Sequence, residues 1–155
     1  MLVADILHQT RVEVAGPRVA DKQTALRRLA ELLATGQPAL DAEEIFALLT
    51  KREAQQSTGV GGGVAIPHAS ADGIEGIVGA LLLCPKPIAF EAVDGDPVGI
   101  LFAVVGPRRG VGEHLKTLAR VSRLLRDDGF RQRLLAAQSG SEAFSLITQE
   151  EGRAA

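Results

Sequence analysis

Tryptophan and tyrosine are missing from the 155-residue sequence, and five phenylalanines are its only aromatics. Ring-stacking platforms for single-stranded nucleic acid depend on such side chains, so the shortage argues against that class and against Trp-lined ligand pockets. The single cysteine, Cys84, leaves no partner for an internal disulfide and excludes a multi-cysteine zinc site. It sits in the run Ala80-Leu81-Leu82-Leu83-Cys84, where it reads as a small buried hydrophobe. The three histidines, His8, His68 and His114, show no HxxxH or HxH spacing, so no metal site is expected. Long hydrophobic runs are lacking too. Even extended back to Ile77, the longest falls far short of the ~20 residues of a membrane helix, and the N-terminus MLVADILHQTRVEV carries no basic region before an apolar stretch. No membrane insertion and a cytoplasmic location are expected. A dominant charge is absent as well, since 17 basic against 19 acidic residues give a net charge of −2. No global field therefore favours nucleic acid or a membrane surface.

What is present is aliphatic: 23 alanines and 20 leucines. A chain of this length fits one domain, and folding buries about 70% of its surface, enough for a core without a staple. Charge is unevenly spread. Residues 1–106 carry 8 basic and 13 acidic groups, a net of −5, whereas residues 107–133 carry 8 and 3, a net of +5. A basic helical region can face an acidic or phosphorylated partner, but a solvated helix face is the preferred reading.

Periodicity predicts a short helix over 2–8 and a strand over 11–14. A helix follows Asp21 through Ala25, Leu26, Leu29, Leu32 and Leu33 and stops at Gly36 and Pro38. Asp41 and Glu44 open another helix that runs to about Gln55. Residues 57–63 read as a flexible glycine-rich loop and Val64-Ala65-Ile66-Pro67 as a short strand. Apolar strands are expected over 76–84 and 98–105, with turns at Pro85, Pro87, Asp94, Gly95 and Pro97 between them. Helices are expected over 112–126 and 130–138, separated by a break at Gly129. Ser139 and Glu142 cap a last helix through about Gln149, and residues 150–155 are expected to fray. Interspersed helices and strands imply a single α/β domain with a mixed β-sheet.

The glycines of Ser57-Thr58-Gly59-Val60-Gly61-Gly62-Gly63 invite a phosphate-loop reading, because N–H groups converge where side chains do not intervene. A Walker A loop fails for want of a following Lys-Ser or Lys-Thr. A dinucleotide fingerprint fails because a helix precedes the glycines and a strand follows them. What remains is a loop delivering His68 behind Pro67, whose fixed φ stiffens the local backbone. A histidine there can be a nucleophile, a general base, a ligand or simply a hydrogen-bonding structural residue. Arg52 at a helix end can merely complement the helix dipole, worth roughly 0.3–1 kcal/mol. His114 has a similarly bland reading, as a surface histidine.

The segment Ser57-Thr58-Gly59-Val60-Gly61-Gly62-Gly63-Val64-Ala65-Ile66-Pro67-His68-Ala69 closely resembles the phosphoacceptor signature of the mannitol/fructose-type enzyme IIA domains of the bacterial phosphotransferase system. Arg52-Glu53 upstream, Pro87-Ile88-Ala89-Phe90, Asp94-Gly95-Asp96-Pro97-Val98 and Glu113-His114-Leu115-Lys116-Thr117-Leu118 extend the likeness almost end to end. The ending Leu134 through Thr148 is similar in particular to the nitrogen-regulatory, PtsN-like branch. Two positions depart from the pattern: Gly62, where many relatives have Asn or an acid, and Ala69, where Gly is common. The resemblance implies a single three-layer domain over 1–149, a mixed sheet flanked by helices. It also implies that His68 accepts a phosphoryl group, as a tele-phosphohistidine, from an HPr-type phosphocarrier.

By the same resemblance, Arg52 pairs with the phosphoryl oxygens and His114 stands beside His68. Ser57 and Thr58 hydroxyls and the N–H groups of Gly61, Gly62 and Gly63 are the remaining phosphate-binding candidates. No cofactor is implied. The partners implied are the HPr-type donor and regulated proteins, potassium-transport or sensor-kinase components among them. A sugar-specific enzyme IIA passing phosphate to an enzyme IIB cysteine is the alternative, and Cys84 is not that cysteine. A pure interaction module that kept only the fold is a third reading, against which His68, Arg52 and His114 all stand.

Overall fold

The computed structural model describes residues 2–154. Two long apolar strands, β5 (Val78–Ile88) and β6 (Val98–Pro107), pair antiparallel at the centre of a six-stranded mixed sheet. β1 (Val12–Val14) adds to β5 in parallel, and β3 (Val64–Ala65) adds to β6 in parallel. β2 (Gly59–Gly61) closes a hairpin onto β3, while β4 (His68–Ala71) lies parallel to β6. Helices cover both faces, because a central sheet of this kind must bury both sides. Alternation along the strands divides the core. Ala80, Leu82, Leu101, Ala103 and Val105 face α2 (Lys22–Ala34) and α3 (Ala42–Gln55). Leu81, Leu83, Ile100, Phe102 and Val104 face the other layer: α1 (Val3–Ile6), α4 (Val111–Leu124), α5 (Asp128–Leu135) and α6 (Gly140–Ala154). The three-layer mixed-sheet architecture is the one expected.

Local chemistry sets the helix starts. The Asp21 carboxylate accepts from Thr24 N at 2.8 Å, and that of Asp41 accepts from Glu44 N at 3.2 Å. Ser139 Oγ accepts from Glu142 N at 3.1 Å, and Gly140 is required there because a Cβ would lie 1.8 Å from the Val12 carbonyl oxygen.

Several expectations change. The glycine-rich stretch is not a free loop: it is the β2–β3 hairpin, turned by Gly61, Gly62 and Gly63, all at positive φ. β4 was not expected. β3 and β4 keep one register along β6 (Val64↔Ile100, His68↔Val104), so they are two pieces of a single line interrupted at Ile66-Pro67. β5 does not turn at Pro85. The prolines have no N–H to give the ladder, and pairing lapses after Leu83↔Ile100 and resumes at Ile88↔Val98. Gly129 lies inside the first turn of α5 rather than breaking a helix, with Asp127 as the cap. The tail expected to fray at 150 instead continues α6 to Ala154. Glu151 explains this: its carboxylate is buried and accepts from Val3 N at 2.6 Å and Ala4 N at 2.8 Å, tying α6 to the start of α1. Ala155 lies outside the described residues.

Candidate functional site

Past Ile66 the hairpin partner β2 ends, so His68 begins β4 where the outer sheet edge has no further strand among the described residues. Its side chain follows Val64 and Ile66 onto the α4 face. There it meets His114, the ring centroids 5.9 Å apart and the planes at 56°. Arg52 arrives from the opposite layer, at the last turn of α3. Two adjoining clefts, of about 320 and 410 Å³, share Arg52 and His68 in their walls. The first also holds Lys51, Arg108 and His114, and the second Ser57 and Thr58.

The two ring nitrogens of His68 differ. Nδ1 lies 2.8 Å from the Ile66 carbonyl oxygen, a contact that only a protonated Nδ1 turns into a hydrogen bond. The neutral ring is thereby assigned as the Nδ1–H tautomer, which leaves the lone pair on Nε2. Burial holds this imidazole below its ordinary pKa. The bond to Ile66 opposes that shift, Arg52's charge reinforces it, and Glu53's charge opposes it. His68 is therefore neutral near pH 7, the state in which imidazole is a nucleophile.

His114 is nearly buried. It fits because Gly106 has no side chain: a Cβ there would come 2.6 Å from His114 Nδ1. Among the described residues Nδ1 has no hydrogen-bond partner, so a proton placed on it would be an unsatisfied donor. The tautomer with Nε2–H costs less, and His114 is among the side chains lining the first cleft. Burial, and secondarily the charge of His68, keep its pKa below normal.

Arg52 Nη1 donates to the Gln56 carbonyl at 2.8 Å, capping the end of α3. That bond uses one of five guanidinium donors, so capping and anion binding coexist. The other candidates are placed differently. Ser57 Oγ donates to the Phe90 carbonyl at 3.3 Å and accepts from Gly59 N at 3.1 Å. Thr58 Oγ1 donates to Glu53 at 2.5 Å. Both hydroxyl protons are thus engaged within the fold. Gly61, Gly62 and Gly63 turn the hairpin and do not line either cleft. Gly62 N donates to Asp94 at 3.1 Å, and the Gly63 carbonyl accepts from Gly99 N at 3.0 Å and Ile100 N at 3.1 Å. The structure brings His68, His114 and Arg52 together and sets the glycine turn apart. Lys51 and Arg108 were not singled out as site residues; Arg108, paired to Asp72 at 2.9 Å, borders the cleft because β6 delivers it beside β4. Among the described residues, no three His, Cys, Asp or Glu side chains converge as a metal site, and no helix is long and apolar enough to cross a membrane.

Residues 5–150 match the family of the phosphoenolpyruvate-dependent sugar phosphotransferase system, EIIA 2. The chain belongs to this family. A nitrogen regulatory protein of Bradyrhizobium diazoefficiens is 37% identical over 140 residues, covering 89% of this chain and 90% of its own length. One of Escherichia coli K12 is 39% identical over 132 residues, covering 84% and 80%. A fructose-specific EIIA component of Haloferax volcanii is 33% identical over 130 residues, covering 84% of each chain. Among solved structures, the nitrogen regulatory protein IIA-Ntr of Neisseria meningitidis superposes with a TM-score of 0.84 at 30% identity, over 94% of this chain and 98% of that one. Mannitol IIA of Escherichia coli shares the fold, with a TM-score of 0.72 at 21% identity over 95% and 99%. The similarity supports a nitrogen-type phosphocarrier of the phosphotransferase system, and the sugar-specific alternative is the weaker one.

Proposed function

We propose that this EIIA domain is a cytoplasmic phosphocarrier in which His68 Nε2 takes a phosphoryl group from the phosphohistidine of an HPr-type protein. The Nε2 lone pair attacks phosphorus, the donor's N–P bond breaks, and the donor imidazole leaves with that electron pair. The donor ring, protonated on its other nitrogen, leaves as neutral imidazole, and His68 keeps its own proton on Nδ1 against the Ile66 carbonyl, so no proton changes hands. That contact is the observation that carries the proposal.

Arg52, lining both clefts with His68, supplies guanidinium donors to the phosphoryl oxygens, and His114 Nε2–H supplies another. The hydroxyls of Ser57 and Thr58 and the N–H of Gly62 are left out of the phosphate site, since they are engaged elsewhere, and Gly61 and Gly63 line neither cleft. Exposed Val60, Val93 and Leu115 line the clefts and give a protein partner apolar surface to dock on. Phosphorylation then adds about −1.5 to −2 charges to a surface bordered by Lys51, Arg52 and Arg108, so regulated partners meet two electrostatically different forms.

Incubation with phosphoenolpyruvate, enzyme I and an HPr-type carrier tests this reading. An acid-labile, base-stable adduct is expected, absent from His68→Ala. An adduct that survives the substitution overturns the assignment, and efficient onward transfer to an enzyme IIB cysteine turns the function toward sugar uptake.

A further inference from the structure

The hydrogen bonds that orient His68 continue beyond Ile66. Ile66 N–H donates to the Thr58 carbonyl at 2.9 Å. Thr58 N–H in turn lies 2.9 and 2.8 Å from the two carboxylate oxygens of Glu53, and its hydroxyl donates to the same group. Glu53 is only 7% exposed, and its Oε2 faces Lys22 Nζ at 3.4 Å. Lys22 also lies over the Phe90 ring, 4.7 Å from its centroid. One continuous path therefore runs from Lys22 through Glu53, Thr58 and Ile66 to His68 Nδ1.

Glu53 stands at an unfavourable place. A negative charge in the last turn of a helix opposes the helix dipole, and a buried carboxylate is costly unless paired and hydrogen-bonded. Its contacts satisfy it fully, and all of them go to the segment that carries the Thr58 carbonyl or to the balancing Lys22. We infer that Glu53 is a positioning residue for His68, holding through Thr58 and Ile66 the carbonyl that fixes the Nδ1–H tautomer. With that carbonyl displaced, the proton can move to Nε2, and the nitrogen facing the cleft loses its lone pair. The inference rests on the reading of His68 as phosphoryl acceptor.

The test compares Glu53→Gln and Glu53→Ala with the wild-type protein. Nitrogen-15 NMR of the unphosphorylated protein, above the histidine's titration, reads the His68 tautomer. Steady-state phosphorylation by an HPr-type donor reads kcat and KM, and thermal unfolding reads stability. Wild type is expected as a single Nδ1–H form. Glu53→Ala is expected to show a mixture with Nε2–H and a kcat lower by about ten- to a hundredfold, with KM for the donor unchanged. Glu53→Gln, which keeps one acceptor oxygen, falls between them and decides alone if Glu53→Ala does not fold. A single Nδ1–H form with full kcat and a lower Tm overturns the inference, and so does either change without the other. The tautomer is read without any phosphoryl donor, so a failure of phosphorylation itself is distinguishable from a failure of positioning.

Discussion

The role proposed for His68 rests on one contact and its burial: a carbonyl 2.8 Å from Nδ1, and an enclosed ring that disfavours a second proton. The pH behaviour follows. Well above pH 6.5, the ordinary histidine value, neither the folded nor the unfolded chain protonates this ring appreciably, so it contributes nothing to the pH dependence of stability there. As pH falls below 6.5, the unfolded chain binds the proton first. Stability then declines until the pH passes the lowered folded value, and His114 acts in the same direction. The rate of phosphorylation is expected to stay level down to pH 6.5 and to fall only below it; a midpoint at or above 6.5 contradicts the burial account. The sequence singles out a residue where its type has few alternatives, as with His68 behind Ile66-Pro67. Ser57 and Thr58 carry hydroxyls that suit a phosphate on paper, whereas in the fold these bond Phe90 and Glu53. Glu53 was passed over because adjacency to Arg52 gave it no role. The available signal was its charge, unfavourable at the C-terminal end of a helix.

Among elements, long periodic segments were legible and short or interrupted ones were not. α2 and α3 begin at the predicted caps because Asp21 and Asp41 bond the first-turn N–H groups. β4 was hidden because four residues after a proline carry little pattern, and its pairing to β6 is tertiary. The end of α6 was misjudged for a related reason: Glu151 reads as solvated in sequence, yet its carboxylate is buried over α1. α1 has only four residues and could not persist alone. Glu151→Ala leaves two N–H groups unpaired and is expected to cost about 2–3 kcal/mol. Urea unfolding measures that loss, and hydrogen exchange at Val3 and Ala4 should accelerate. A change below about 0.5 kcal/mol contradicts the account, since exposed residues give such values.

The whole molecule places its site where three parts meet: the interrupted edge strand, the end of α3 from one layer, and α4 from the other. The layer architecture was readable from alternating apolar strands, whereas this convergence depends on the strand order β1-β5-β6-β3-β2, which no local pattern encodes. The basic segment 107–133 is likewise not one surface. Arg108 borders the cleft, Arg131 turns inward to the carbonyls of Leu125 and Arg126, and Arg133 pairs with Glu150. On the proposed function, the assembled site presents His68 Nε2, and no other atom, to a phosphoryl donor. Phosphorylating nitrogen-15-labelled protein and reading the phosphorus–nitrogen coupling of the adduct tests it most directly. Coupling to His68 Nε2, with Nδ1 still protonated, is the predicted result; phosphorus on Nδ1, or on any other residue, contradicts it.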